Sequence, residues 1–477
     1  MHQSEILVSA QRSYVNSTVQ SLQSGIVVPK AFIQGVRHIG YKTNVEAIAE
    51  LVDNSIQAYA ERIDLVFGYG EGSNKKPKQL AVIDDGHGMT PDMIRFAMMW
   101  GGTHRENDRN GLGRFGYGLP CATVSLGRRI TVFSKLRRGK IYATTLDLDL
   151  LGTEGEGGIS IAAAQPASLP PFLLNAIDCN YPDGWESGTI VLVEKLDRLD
   201  WITSSGLSRN LTREFGVSYH KLLGQTSVYI DGAEVKPIDP LFLNPLADLH
   251  ATDVDRAVAL DPVRLSIDAD ETCGCFGDLT IRYAWLPPSF AATDKSRDAV
   301  GINANARFAI IKQYHGIVFS RNGRVIDVQS RTPWTIFVNN DRYIRIEIEF
   351  SASLDEEFGV TTSKQQVTIS PQMWDRLRTV GLHKAIEHLR SKVREAKAGR
   401  KKGFQNQLTL LTPAPKMHAS STAPNVIHPE QASVFLTSLL SEIERHSAAA
   451  SAEIQKEYRE LLTDWKLRIS SITQGPA

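Results

Sequence analysis

Cysteine is scarce in this chain. Cys121, Cys179, Cys273 and Cys275 are the only four in 477 residues, too few for a disulfide scaffold, so a reducing, cytoplasmic setting is expected. Cys273 and Cys275 stand close together but lack a second ligand pair at metal-site spacing, and free thiols are expected rather than zinc. Net charge is also missing: 53 basic residues balance 53 acidic ones, so no global field draws the chain onto nucleic acid or anionic lipid. Any such contact must be local. No segment approaches the roughly 18 uninterrupted apolar residues of a membrane span. The start, MHQSEILVSAQRS, has no basic stretch leading into an apolar one, so neither export nor membrane passage is expected. Glycine (36) and proline (21) show no repeat bias, which excludes fibrous architectures.

What remains is an ordinary globular composition, 42% hydrophobic and 22% charged, in a chain longer than one core usually organises. Residues 1–35 read as a partly ordered arm, 36–200 and 205–398 as two α/β domains, 399–428 as a basic and polar linker, and 429–470 as an amphipathic helix. In the first domain Val45, Ile48, Ala49, Val52, Ile56 and Tyr59 recur at helical spacing, with Thr43 or Asn44 as N-cap. IDLVF and QLAVID read as strands, and Thr90-Pro91 as a helix start. The second domain draws its strands from VYIDGAEV, LTIRYAWL, FAIIKQYHGIVFSRNGRVIDV and RYIRIEIEF, and a helix is expected over Met373 to Ala398. In the terminal helix Leu436, Leu440, Ile443, Ala450, Ile454 and neighbouring apolar residues line one face, which packs either on its own domain or between chains.

Glu50 and Asn54, four residues apart, project from one helix face with Glu46 a turn earlier. A carboxylate can polarise a water while a neighbouring amide oxygen ligates a hard cation such as Mg²⁺. Alone, such a pair is more often a solvated face. Asp84-Asp85-Gly86-His87-Gly88-Met89 ends an apolar strand, where glycines allow a tight bend and close approach to a flat ligand, with Asp84 as acceptor. Gly111, Gly113 and Gly116 spell GxGxxG, but they follow a polar loop rather than a buried strand, which excludes a dinucleotide fingerprint. GVRHIGYKT fails as a P-loop because Tyr41 interrupts the Gly-Lys pair. The glycines can still free backbone N–H groups at a helix start to hold phosphate oxygens.

Four elements in order, AELVDNSIQA (49–58), VIDDGHGM (82–89), GLGRFGYGL (111–119) and SGTIVLVEKL (187–196), resemble the GHKL ATPase superfamily of DNA gyrase B, Hsp90, histidine kinases, MutL and MORC proteins. The resemblance implies a Bergerat-type α/β sandwich that binds ATP with Mg²⁺ and reaches back to about residue 20. It places water activation on Glu50, Mg²⁺ binding on Asn54 and the adenine amino group on Asp84, with Gly86, Gly88 and Met89 shaping the adenine pocket beside Gly188 and Thr189. The lid, about Gly101 to Gly118, would hold phosphates through Gly111, Gly113, Arg114, Phe115, Gly116, Tyr117 and Gly118. Gln57 stands where MutL-like sequences commonly carry Asp. The resemblance also implies a ribosomal-S5-like α/β transducer, in which Lys364 of FGVTTSKQQVT would reach the γ-phosphate. RFGYGL, HGIVFSRNGRVID and FGVTTSKQQ look most like prokaryotic MORC-like, MutL-like or Hsp90-like ATPases.

The resemblance further implies a homodimeric clamp that closes on ATP around a DNA or protein client, in DNA repair or defence against foreign DNA. From Lys392 to Lys402 six of eleven residues are basic, a candidate DNA contact or a solvated helix end. Rival expectations are an ATP-dependent interaction module without hydrolysis, and a histidine kinase, which would need a phosphoacceptor on a helical hairpin where His38 sits in a short polar segment. A type II topoisomerase B subunit is disfavoured by the short stretch after residue 400.

Overall fold

The computed structural model describes residues 29–70, 72, 75–102, 116–150, 161–267, 277–361 and 366–411. One compact unit extends to Phe404 and a second covers Gln405–Ala477. The arm up to residue 28, the terminal helix over 429–470, Cys273 and Cys275 lie outside the described residues. The last residues of the expected arm open a helix, α1 (Pro29–Ile39).

The first sheet is built from β1 (Arg62–Tyr69), β2 (Pro77–Asp84), β3 (Gly127–Lys135), β4 (Tyr142–Asp147), β5 (Gln165–Pro166), β6 (Gly188–Leu196), β7 (Ser227–Ile230) and β8 (Ala233–Glu234). Its order is β5-β4-β3-β6-β2-β1-β7-β8, with β1 and β7 parallel and the other pairs antiparallel. VYIDGAEV, expected with the second domain, therefore extends the first sheet. Arg62–Leu65 offers a free edge to Ser227–Ile230, and a parallel pair needs the crossover that α6 (Ser204–Ser218) supplies.

Both faces of this sheet are covered, so alternate residues enter different cores. Leu80, Val82, Val191 and Val193 join the core that holds α2 (Asn44–Gln57), α4 (Gly118–Leu126) and α6. Ala81, Ile83, Ile190 and Leu192 face α5 (Pro171–Asn180) on the other side. Asp84 continues the even series and so turns toward α2. Helix α3 (Pro91–Ala97) starts as the sequence suggests, with Thr90 Oγ1 accepting from Met93 N.

The second sheet comprises β9 (Val258–Ile267), β10 (Gly277–Trp285), β11 (Ile317–Arg321), β12 (Arg324–Gln329) and β13 (Ile344–Phe350), in the order β12-β11-β13-β10-β9. Asn322 and Gly323 both take positive φ (47° and 82°), the backbone of a tight two-residue hairpin between β11 and β12. FAIIKQ is helical, α7 (Arg307–Gln313), and not a strand. It buries Ile310 and Ile311, consecutive residues that could not share one face of a strand. The expected helix over 373–398 divides into α8 (Pro371–Thr379) and α9 (Leu382–Leu411), because Gly381 at φ 93° ends the first.

Helix α6 is shared between the two layers. Leu207, Leu211 and Phe215 lie in the first core, as does Tyr219 just beyond the helix, while Val217 lies in the second. Nearby, Lys221 Nζ lies 2.7 Å from Oε1 of Glu347 and 2.7 Å from Oε2 of Glu349, both on β13. The two sheets thus meet through a polar contact at the end of α6.

Candidate functional site

Helix α2 is fixed before any ligand is considered. Thr43 Oγ1 accepts from Glu46 N, and Glu46 Oε2 accepts from Lys42 N at 2.9 Å and Thr43 N at 3.2 Å, a reciprocal capping box. Such a cap contributes about 1 kcal/mol. It engages Glu46 in the cap, one turn before Glu50. Ile48, Leu51 and Val52 are buried, each worth about 1.5–3 kcal/mol of apolar transfer.

Glu50 is itself buried, against the first residue of α4: a Cβ at Gly118 would overlap its Oε1. Burial first, then the charge of Glu50, pushes the Tyr41 hydroxyl far above its ordinary pKa. Burial likewise raises the Cys121 thiol, Glu50 adding to it. The carboxylate therefore sits in a low-dielectric corner among Tyr41, Cys121 and the start of α4. Asn54 is half-buried one turn later on the same helix.

Asp84 closes β2 and is buried. Its Oδ1 accepts from Gly86 N at 3.0 Å and Thr189 N at 3.1 Å, and its Oδ2 accepts from Ser55 Oγ at 2.9 Å. Burial pushes its pKa up to about 6 against these three hydrogen bonds. Trp185 Nε1 donates to Asp84 O at 2.8 Å, and a Cβ at Gly188 would overlap that same carbonyl. Gly88, at φ 71°, presses on the Lys135 carbonyl, so only glycine fits there. Met89 N donates to Ser134 Oγ at 2.8 Å, and Ser134 Oγ donates to Gly188 O at 2.9 Å with Thr189 Oγ1 3.1 Å away. Ser134 thus ties the turn after Asp84 to the start of β6.

Gly101 N donates to Gly116 O at 3.1 Å, bringing together the two ends of the glycine-rich stretch. Tyr117 is exposed and gives no side-chain cap to α4, which starts beside Glu50. Gly111, Gly113, Arg114 and Phe115 lie outside the described residues, as does Lys364. Gln57 is half-buried at the end of α2.

The structure thus brings Glu50, Asn54, Asp84, Gly86, Gly88, Met89, Gly118 and Thr189 around one end of the first sheet. Ser55, Ser134 and Trp185 were missed by sequence reasoning. Ser55 directly follows Asn54 on an otherwise apolar face, a signal that could have been used; Trp185 and Ser134 carried none. Asp53 was missed as well. It is fully buried, accepts from Tyr219 Oη at 2.9 Å and pairs with Arg324 at the start of β12.

His38 lies on α1, with Nε2 3.4 Å from an Arg198 nitrogen. Helix α1 packs on α4, and Phe32 meets Trp100 edge-to-face at 5.2 Å. Of the basic run, Lys397 Nζ lies 3.5 Å and Arg400 Nη1 3.2 Å from Asp298, so part of it is bound internally. Among the described residues no group of three or more His, Cys, Asp or Glu could hold a metal, and no helix is long and apolar enough to cross a membrane.

Residues 41–178 match the family described as histidine kinase-, DNA gyrase B-, and HSP90-like ATPase. Protein MICRORCHIDIA 4 of Arabidopsis thaliana is 29% identical over 116 residues, 23% of this chain and 14% of that protein. Protein MICRORCHIDIA 5 of Arabidopsis thaliana is 31% identical over 102 residues, 20% of this chain and 14% of that protein. Protein MICRORCHIDIA 6 of the same plant is 29% identical over 104 residues, 21% of this chain and 15% of that protein. The chain therefore spans only about one seventh of the length of these relatives.

Proposed function

The chain belongs to the GHKL ATPase superfamily and is MORC-like, and on that premise we propose that it binds and hydrolyses ATP with Mg²⁺ and closes as a homodimer around a DNA or protein client. The observation that carries this reading is a buried acceptor, Asp84, joined through Ser55 to the helix that bears Glu50 and Asn54. Asp84 and Thr189 read the adenine edge, while Gly86, Gly88 and Met89 keep backbone close to the flat ring. The amides from Gly116 to the start of α4, with Gly111, Gly113, Arg114 and Phe115, hold the phosphates. Lys364 places a compact positive charge at the γ-phosphate.

Glu50 accepts a proton from the attacking water as its oxygen bonds to the γ-phosphorus and the bond to the ADP oxygen breaks in line. The half-buried amide oxygen of Asn54 fits Mg²⁺, which takes one or two protein oxygens and completes its shell with phosphates and water. When bound, the ion offsets charge on the transferred phosphoryl group. A role in DNA repair or defence against foreign DNA follows only if the client is DNA.

Calorimetry with Mg²⁺-ATP and turnover assays on wild type, Glu50→Ala and Asp84→Asn test this reading. Expected are ATP uptake by the wild type, retained ATP-bound dimers without turnover in Glu50→Ala, and lost uptake in Asp84→Asn. Absence of uptake by the wild type overturns the reading, and uptake without turnover reduces it to a nucleotide-dependent interaction module.

A further inference from the structure

We infer that Arg324, on the second sheet, is a positioning residue for the Glu50 base, acting through Asp53 to set where α2 holds its hydrolytic groups. The inference rests on the ATPase reading and extends it to a residue outside the nucleotide-binding domain.

Helix α2 is tied on two sides at nearly consecutive positions. Ser55 anchors it to Asp84 on the first sheet at 2.9 Å. Asp53 anchors it to Arg324 on the second, and Tyr219 Oη bonds both Asp53 Oδ1 and Ala49 O at 2.9 Å. Glu50 and Asn54 lie within the stretch these ties span. A displacement of β12 therefore cannot leave Glu50 in place without breaking the pair.

Breaking it is costly in this environment. The side chains of Asp53 and Arg324 are 0% and 6% exposed, and parting two such charges leaves each without its partner away from water. Burial alone would lower the Arg324 pKa, yet Asp53, Tyr219 and Glu50 outweigh it and hold the guanidinium ionised. The guanidinium lies 5.5 Å from the Tyr219 ring centre, which fixes its approach from the α6 side. Arg324 also directly follows the tight Asn322-Gly323 turn, so its backbone has little freedom to follow α2 independently of the sheet.

A pair serving only to staple two layers would lower stability when cut and leave the chemistry of the folded fraction alone. A positioning pair lowers kcat while ATP binding persists, since Asp84 and its neighbours are untouched. The test uses the full chain with Mg²⁺-ATP, measuring the dissociation constant by calorimetry, kcat by phosphate release and the folded fraction by thermal unfolding. Arg324→Gln is expected to lower kcat about 10- to 100-fold, the scale of a displacement of about 1 Å at a reacting group. The ATP dissociation constant should stay within about threefold of wild type. Arg324→Lys, which keeps a cationic donor, should recover most of the loss.

An unchanged kcat in folded Arg324→Gln, or a loss of affinity as large as the loss of kcat, overturns the inference. Should Arg324→Gln not fold, the isosteric Asp53→Asn decides on the same two readouts. Glu50→Ala and the wild type separate the levels: no ATP uptake or turnover in the wild type sinks the ATPase reading itself, turnover surviving in Glu50→Ala sinks the assignment of the base, and a dead Glu50→Ala beside a fully active Arg324→Gln sinks only the role of Arg324.

Discussion

Oγ of Ser55 donates to Oδ2 of Asp84 at 2.9 Å, so the strand end proposed to read adenine and the helix proposed to carry the base form one polar unit. The bond depends on parity. Leu80 and Val82 face the α2 side of the first sheet, Asp84 follows them at the next even position, and Ser55 lies on the buried face of α2 beside Leu51 and Val52.

Asp84→Asn tests what the buried carboxylate costs. Its folded pKa of about 6 lies above the unfolded value of about 3.9, so its contribution is full below pH about 3.9 and is lost as pH rises through about 6. Asn keeps the acceptor for Gly86 N and Thr189 N and can donate to Ser55 Oγ. The free variant should therefore exceed wild type by about 1–3 kcal/mol above pH 6 and match it near pH 4, read as urea midpoints. ATP affinity should fall by about 100-fold or more, because an amide N–H would then confront the adenine amino group.

Much of this site was legible because its signals are local. The capping box Thr43–Glu46 and the 3.6 spacing mark α2, and Asp84-Asp85-Gly86 marks a strand end. Arg324 was not legible: an arginine after Asn-Gly reads as a solvated hairpin residue, and its partner Asp53 lies 271 positions away. The same holds for β7, whose place beside β1 is a non-local parallel pairing that alternation along its own four residues cannot reveal.

Gly118→Ala should remove hydrolysis more than binding. The new methyl would overlap Glu50 Oε1, and overpacking of this kind costs about 1–3 kcal/mol or moves the side chain that yields. Glu50 is the neighbour that must give. Turnover should drop by about 100-fold, with Mg²⁺-ATP uptake retained in calorimetry. Equal kcat in variant and wild type would show that Glu50 does not need its present position.

Glu347 governs acid stability between the two layers. Burial alone would raise its pKa, but Lys221, Arg282 and His220 outweigh burial and hold it at about 2. Folding therefore gains from its ionisation above the unfolded value of about 4.3, and that gain is lost as pH falls through about 2. Glu347→Gln leaves Lys221 and Arg282 without their shared partner and should cost about 3–5 kcal/mol at pH 7. Thermal unfolding across pH 2–7 checks both, since the variant should also lose the Glu347 share of the wild type's decline below pH 4.

The basic run should bind DNA with fewer contacts than its six charges suggest. Lys397 Nζ lies 2.7 Å from Asn340 Oδ1 and 4.5 Å from the centre of the Tyr343 ring, in addition to its ion pair with Asp298. Arg400 donates to Lys295 O at 2.6 Å and pairs with the same aspartate. Lys392, Arg394 and Lys401 are the described members not tied to Asp298. With Lys402 counted, about four phosphate contacts give a slope of log affinity against log salt near −4, where six would give about −5. Binding to closed circular DNA across a salt series, with a non-hydrolysable ATP analogue, measures that slope. Replacing Lys392, Arg394, Lys401 and Lys402 together by Gln should bring it close to zero, whereas Lys397→Gln should leave it unchanged and lower the unfolding midpoint instead. A slope that falls with Lys397→Gln would mean that this lysine leaves Asp298 to meet the phosphate backbone.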